Sequence, residues 1–446
     1  MERKAFLFLQ GPISPFFALV GQGLAAKGHK VRRINFNLGD WLFWRGPETI
    51  GYRGRIEAWP AFIARYLDRE GITDLVLLGE QRAYHKAAIE AAKSRGIRVT
   101  VTDFGYFRPD WITLERDGMS AASTFPRDPE LIRALAAGLP PPSTVQRYFD
   151  SFRTMAKWDV AYHLALRHDY FVFPHYRSHQ LHDPVLTYFG TLRRLLMRKK
   201  NNAAAGRFIA DILAKGTPYY LFPLQMETDF QLRAYSPFPD LRTPIGLVLG
   251  SFAHHAPPHH HLLVKSHPLD PGLRNWRKLI ARFAAELGIE GRVHYLDGGN
   301  LDHLIRGARG VVTINSTTGI RALQLGCPLA VLGGAIYRVP GLADDRPLDE
   351  FWAAPRLPDP ALRDAFMAGL AATIQIRGVF YARPGLDAAV AGTVERLHRG
   401  LINVPLDALA PDEADAAPLP GPEPVQARRL ARMRLRRLNR RRSAAE

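Results

Sequence analysis

Apolar residues along this chain recur with two periods that alternate. "AFLFL" (5–9) is an unbroken apolar run, as expected of a strand covered on both faces. The loop "QGPIS" follows. Phe16, Leu19, Val20 and Leu24 then recur at helical spacing, with Ser14 placed to cap, Pro15 at the first position and Gly28 just past the end. "KVRRINFN" reads as the second strand and completes a βαβ unit. The alternation returns in "DLVLLG" (74–79), in "YHKAAIEAAKSRG", a helix ended by Gly96, and in "IRVTVTD". A second series begins at "PYYLFPLQ" (218–225) and runs through "HLLVKSHP", "RVHYLDG", "GVVTINST" and "PLAVLGG". Helical stretches such as "NWRKLIARFAAELG" and "TTGIRALQLG" separate its strands.

Strands alternating with helices imply parallel sheets with helices on both faces. At 446 residues the chain exceeds one ordinary core. The prediction is an α/β protein of two Rossmann-like, doubly wound domains facing across a cleft. The first spans residues 1–185 and the second residues 186–404; residues 405–446 form a Pro/Ala-rich linker and a basic tail. The stretch from about 125 to 205 is helical and basic, and holds the connection between the domains. Ligands of such sheets sit beyond the carboxyl ends of the strands. "GPISP", "GEQRAYH" and "DFGYFRPDWITLE" are therefore expected as loops at the cleft.

Charge sharpens this picture. The formal net charge of +18 points to an anionic partner. Nine arginines lie between Arg428 and Arg442 in "ARRLARMRLRRLNRRR", without an acid, so half of the excess sits there. Leu430, Met433, Leu435 and Leu438 interleave with them at roughly helical spacing. That favours an anionic membrane surface over nucleic acid, for which no recognition module is visible. No run of roughly 18 apolar residues predicts a membrane-spanning helix. Gly11-Pro12 breaks an apolar start that otherwise resembles a signal peptide. The single cysteine, Cys327, excludes an internal disulfide framework and a Cys-rich zinc site, and fits a reducing compartment. The expected location is cytoplasmic, peripheral on the inner face of the cytoplasmic membrane.

Four stretches carry candidate chemistry. "TINSTTGIRALQLGCP" (313–328) delivers Asn315, Ser316, Thr317 and Thr318 from a buried strand to a helix start, where N–H groups and hydroxyls suit a phosphate. "VKSHPLD" sets Lys265, His267 and Pro268 at another strand end. "VTDFGYFRPDWITLE" (101–115) places Asp103, Arg108, Asp110 and Glu115 just after a first-domain strand, a combination suited to sugar chemistry. "FPLQMETDFQLRAYSPF" (222–238) alternates Gln225, Glu227, Asp229, Gln231 and Ser236 with apolar residues, as a cleft lining or an ordinary loop. Histidines 254, 255 and 259–261 sit in a Pro-rich setting without spaced carboxylates and read as a surface loop rather than a metal site. No Walker loop, GxGxxG after the first strand, HExxH or GxSxG is present.

Together, "FLFLQGPISPFF…GHKVRRINFNLGDWLFW", "GYFRPDWITLE", "KSHPLD" and "NSTTGIRALQLGCP" resemble the KpsS family of capsular polysaccharide biosynthesis proteins, the single-module β-Kdo transferases of bacterial capsule export loci. The resemblance spans about residues 4–400 and leaves the arginine tail outside. It implies a GT-B-like fold, a CMP-Kdo donor, a lysophosphatidylglycerol-type lysophospholipid acceptor, retention at the anomeric carbon and a setting among other capsule biosynthesis proteins. Matched position by position, it gives nucleotide binding to His267 and Pro268 and phosphate binding to Ser316 and Thr317, with Lys265, Asn315 and Thr318 beside them. For a Kdo donor, Arg108 is the candidate partner of the sugar carboxylate, whose planar geometry suits a guanidinium fork, and Gln225 and Glu227 are candidate substrate contacts if 222–238 lines the cleft. Family members carry an acidic pair before the Gly of the G-aromatic-x-R element, whereas here Asp103 is followed by Phe104. Asp103 is thus the first candidate nucleophile and Glu115 the second. No metal ion or cofactor is required by this chemistry. Transfer from another CMP- or UDP-sugar, or a non-catalytic role in an export assembly, stays open from the residues alone.

Overall fold

In the computed structural model, which describes residues 3–404, the apolar runs form two sheets. The first contains β1 (Ala5–Phe8), β2 (Lys30–Asn35), β3 (Thr49–Gly51), β4 (Asp74–Leu78), β5 (Arg98–Phe104) and β6 (Trp111–Arg116). The second contains β7 (Tyr219–Pro223), β8 (His261–Lys265), β9 (Val293–Leu296), β10 (Gly310–Thr313) and β11 (Leu329–Val331). A last strand, β12 (Gln375–Arg377), returns to the first sheet.

The sheets are ordered β12-β6-β5-β4-β1-β2-β3 and β11-β10-β7-β8-β9. Counted within its own lobe, each parallel series lies in the order 3-2-1-4-5, the doubly wound arrangement. Helices cover both faces, so the central strands bury every residue instead of alternating. Phe6, Leu7 and Phe8 of β1 and Tyr220, Leu221 and Phe222 of β7 are all inaccessible to solvent.

Three features depart from the sequence reading. "DFGYFRPDWITLE" is not a loop. It is a hairpin, with β5 and β6 antiparallel, Asp103 opposite Thr113 and Val101 opposite Glu115. Gly105 permits its tight reversal: a Cβ there would lie 2.4 Å from the Trp111 carbonyl oxygen. Second, the 186–404 assignment does not hold at its end. β12 pairs antiparallel with β6, and the helix Gly385–Arg399 packs on the helix Phe16–Ala26, where a Cβ on Gly23 would meet Val394 at 2.7 Å. The chain crosses to the second lobe and comes back because β6 otherwise leaves an unpaired edge. The expected crossing at 185/186 falls in the first turn of a 31-residue helix, Pro184–Ala214. Third, the histidine cluster is only partly at the surface. His260 is buried, while His261 begins β8 and lies 2.8 Å from His294.

The return path is held by Asp110, which is fully buried. It accepts from the Arg147 and Tyr148 N–H groups at 2.7 and 3.1 Å and from Arg377 Nη1 of β12 at 3.0 Å. Removing this carboxylate strands a largely buried guanidinium and two N–H donors. Asp110→Ala is therefore expected to lower the unfolding free energy by about 3 kcal/mol in chemical denaturation, with Asp110→Asn costing less.

Candidate active site between the lobes

The carboxyl ends of both sheets face one cleft. Its floor is a cavity of about 230 Å³ that takes Asp103 and Arg108 from the β5–β6 hairpin. From the second lobe come Asp229, His267 and Asn315-Ser316-Thr317. Each is set by local structure. Asp229 caps the helix Phe230–Tyr235, its Oδ1 accepting from the Gln231 N–H at 2.9 Å. Asn315 is clamped by Gln225: Nε2 donates to Asn315 Oδ1 at 2.9 Å and Oε1 accepts from the Asn315 N–H at 3.2 Å. Ser316 is fixed from behind by Tyr337, whose hydroxyl donates to its carbonyl at 2.5 Å. That approach needs Gly319, where a Cβ would lie 2.4 Å from the Tyr337 ring.

The electrostatics of this floor are those of two half-buried carboxyls and one guanidinium that reaches solvent. Burial raises Asp103 above the ordinary carboxylate range, opposed by the Phe104 N–H, 2.7 Å from its Oδ1, and by Arg108. Burial also raises Asp229, with the charge of Asp103 adding to it and Arg108 opposing. Among the described residues neither carboxylate closes an ion pair on Arg108. Its guanidinium lies over the Phe104 ring, 5.0 Å from the centroid. His267 Nδ1 accepts from the Leu269 N–H at 3.1 Å, so in the neutral ring the proton sits on Nε2. Burial, and then Lys265 and Arg108, push this histidine down to about 4. Near pH 7 it is an uncharged Nε2–H donor.

His267 also borders a second cavity of about 400 Å³, which takes Lys265, Pro268, Thr318 and the Asp297-Gly298-Gly299 turn after β9. Its wall is the helix Pro184–Ala214. Arg194 of that helix pairs with Asp297 and donates to Ser266 Oγ at 3.1 Å and to the Asp270 carbonyl at 2.6 Å. Asp297 accepts in addition from Asn201 Nδ2 at 2.9 Å and Ser266 Oγ at 2.9 Å. Burial lowers the Lys265 ammonium, with Asp297 opposing and Arg194 adding to the effect.

The predicted site residues thus divide. Asp103, Arg108, Gln225, Asn315, Ser316 and Thr317 line the smaller cavity; Lys265, Pro268 and Thr318 line the larger; His267 belongs to both. Glu115 and Glu227 are not brought to either. Glu115 lies inside β6, where it accepts from Tyr106 Oη at 2.6 Å and from Ser123 Oγ. It reaches the cavity only through Tyr106, whose ring lines it. Glu227 pairs with Arg274 at 2.9 Å. Asp229, two residues on, enters instead, because a capping aspartate must point back at the helix start. Arg194, Asp297 and Tyr337 had no local signal, since each acts from a distant segment. Glu80 and Tyr235 join the lobes beside the cleft: the Tyr235 hydroxyl donates to Glu80 and accepts from Gln81 Nε2, the latter at 2.6 Å.

Burial pushes Glu115 up to about 8. The folded chain therefore holds a proton that the unfolded chain releases above about 4.5, and stability falls as pH rises from about 4.5 to 8. Glu115→Gln is expected to flatten the melting temperature against pH across this window; an unchanged slope contradicts the protonated Glu115.

Residues 73–381 match the family described as Capsule polysaccharide biosynthesis protein. The chain is 35% identical over 395 residues to the Capsule polysaccharide export protein KpsS of Escherichia coli, covering 85% of this chain and 98% of that one. It is 33% identical over 391 residues to the Capsule polysaccharide modification protein LipB of Neisseria meningitidis serogroup A, covering 84% and 91%. Among solved structures it is similar to Thermosulfurimonas dismutans KpsC, beta Kdo 2,7 transferase, at 14% identity and a TM-score of 0.44 over 88% of this chain and 99% of that one.

Proposed function

The chain belongs to the capsule polysaccharide biosynthesis protein family, and from that premise we propose that it is a retaining glycosyltransferase. It moves a β-Kdo residue from CMP-Kdo to a lysophosphatidylglycerol-type lipid and so begins the Kdo linker of a capsular polysaccharide. One observation carries this reading. Two cavities meet at His267, one of nucleoside size and one holding a carboxylate and a guanidinium. A sugar nucleotide has its phosphate at such a junction.

In this arrangement the cytidine occupies the larger cavity and the acid sugar the smaller. The His267 Nε2–H and the Ser316 and Thr317 hydroxyls donate to the phosphate, and Lys265 adds positive charge. The planar Arg108 fork suits the sugar carboxylate. Asp103 is the first-lobe carboxylate that lines the cavity, and it attacks the anomeric carbon. The carbon–oxygen bond to the phosphate breaks and CMP leaves with its electron pair. The acceptor hydroxyl then displaces Asp103, giving its proton to Asp229. Retention follows from the two inversions. Glu115, the second candidate, acts through Tyr106.

Mass spectrometry of a reaction with CMP-Kdo and lysophosphatidylglycerol is expected to show one added Kdo and free CMP. Asp103→Asn should lower kcat at least about 100-fold. Full activity in that variant discards the nucleophile. Turnover with other CMP- or UDP-sugars instead discards the donor, and no transfer from any donor favours a non-catalytic role. The arginine-rich segment lies outside the described residues. Its charge predicts that deleting residues 426–446 weakens binding to anionic vesicles, by up to ~1 kcal/mol per cation near the surface, while turnover of a soluble acceptor persists.

A further inference from the structure

We propose that the outer face of the helix Pro184–Ala214, with the neighbouring helices Phe152–Leu166 and Asp169–Val172, is a docking surface for an anionic lipid bilayer. Among the described residues, fourteen of the twenty-four exposed large apolar side chains fall between Phe149 and Met197. On the long helix Val185, Phe189, Leu192 and Leu196 follow at i, i+4, i+7 and i+11, which is one stripe. Phe189 and Leu196 are 71% and 75% exposed. Tyr170 and Phe171, on the short helix that follows Phe152–Leu166 in the chain, are 78% and 81% exposed. The layers are tied by Tyr188, whose hydroxyl donates to Asp159 at 2.6 Å and lies 2.7 Å from His163.

Cations accompany the stripe. Arg193 and Lys200 lie on the same side of the helix, Lys199 is exposed beside them, and no acid occurs from Pro184 to Ala210. Apolar anchors flanked by cations match the acyl–headgroup boundary of an anionic leaflet. The same charges argue against two other occupants. A second copy related by a two-fold axis sets these cations against one another. The chain's own segment 428–442 adds nine arginines of the same sign.

The inner face of the helix is committed elsewhere. A Cβ on Gly190 would lie 2.3 Å from the Pro271 carbonyl oxygen, and Arg194 pairs with Asp297. The helix is therefore two-sided, with its outer stripe on the bilayer and its inner side walling the larger cavity. The inference deepens the lipid-acceptor reading, but docking is measured without turnover, so either can fail alone.

The test uses the full chain, in which Cys327 is buried. An environment-sensitive fluorophore is placed at Leu196→Cys, at Phe189→Cys and, as a control, at Leu357→Cys, which is also exposed. Phosphatidylglycerol vesicles should blue-shift the first two and not the third, and phosphatidylcholine vesicles none. The full-length Phe189→Ser/Leu192→Ser/Leu196→Ser variant should lose about tenfold or more in vesicle partitioning, with CMP binding intact. Vesicle binding without a shift at 189 and 196 overturns the proposal, as does an equal shift at 357. A shift that appears without lipid and grows with protein concentration makes the face a contact between copies and also overturns it.

Discussion

A parallel strand covered by helices on both faces has nowhere along its length to carry chemistry. Every side chain of β1 and β7 between its ends is buried, and a polar group there would lose its water without gaining a partner. Polar residues are thus driven to the carboxyl ends. Because both lobes share the order 3-2-1-4-5 and face each other, those ends converge on one cleft. Asp103, His267 and Asn315 are where they are for this reason.

The cleft then acts on what it has gathered. Its two carboxyls come from opposite lobes, Asp103 from β5 and Asp229 from a helix cap, and burial raises both. The opposing charge, Arg108, sits in the turn between β5 and β6, on the same hairpin as Asp103. His267 is driven the other way, to a neutral donor. Relative position of the lobes therefore tunes protonation as well as shape, and it is held both beside the cleft, by Tyr235 on Glu80 and Gln81, and by packing away from it. Phe125 of the first lobe meets Phe366 at 5.6 Å, and Asp110 holds Arg377 of the returning strand.

The long helix Pro184–Ala214 couples the cleft to the outside. Arg194, on its inner side, joins Ser266 and Asp297 at the strand ends of the second lobe, while its outer side leaves Phe189 and Leu196 in solvent. In the proposed reaction one partner is soluble and the other is a lipid. A helix that walls the larger cavity and, in the docking proposed above, meets the bilayer brings the two to the same place.

By itself the amino-acid pattern determined the local elements. Strand and helix periods, cap residues and turn glycines act within a few residues, so two α/β series and the strand-end motifs at 103–108, 265–268 and 315–318 were legible. The antiparallel return of β6, the docking of β12 on it, the choice of Asp229 over Glu227 and the seclusion of Glu115 behind Tyr106 were not. Each of those depends on which distant segment removes water from a side chain. Desolvation belongs to the assembled lobes, and only the tertiary structure assigns it.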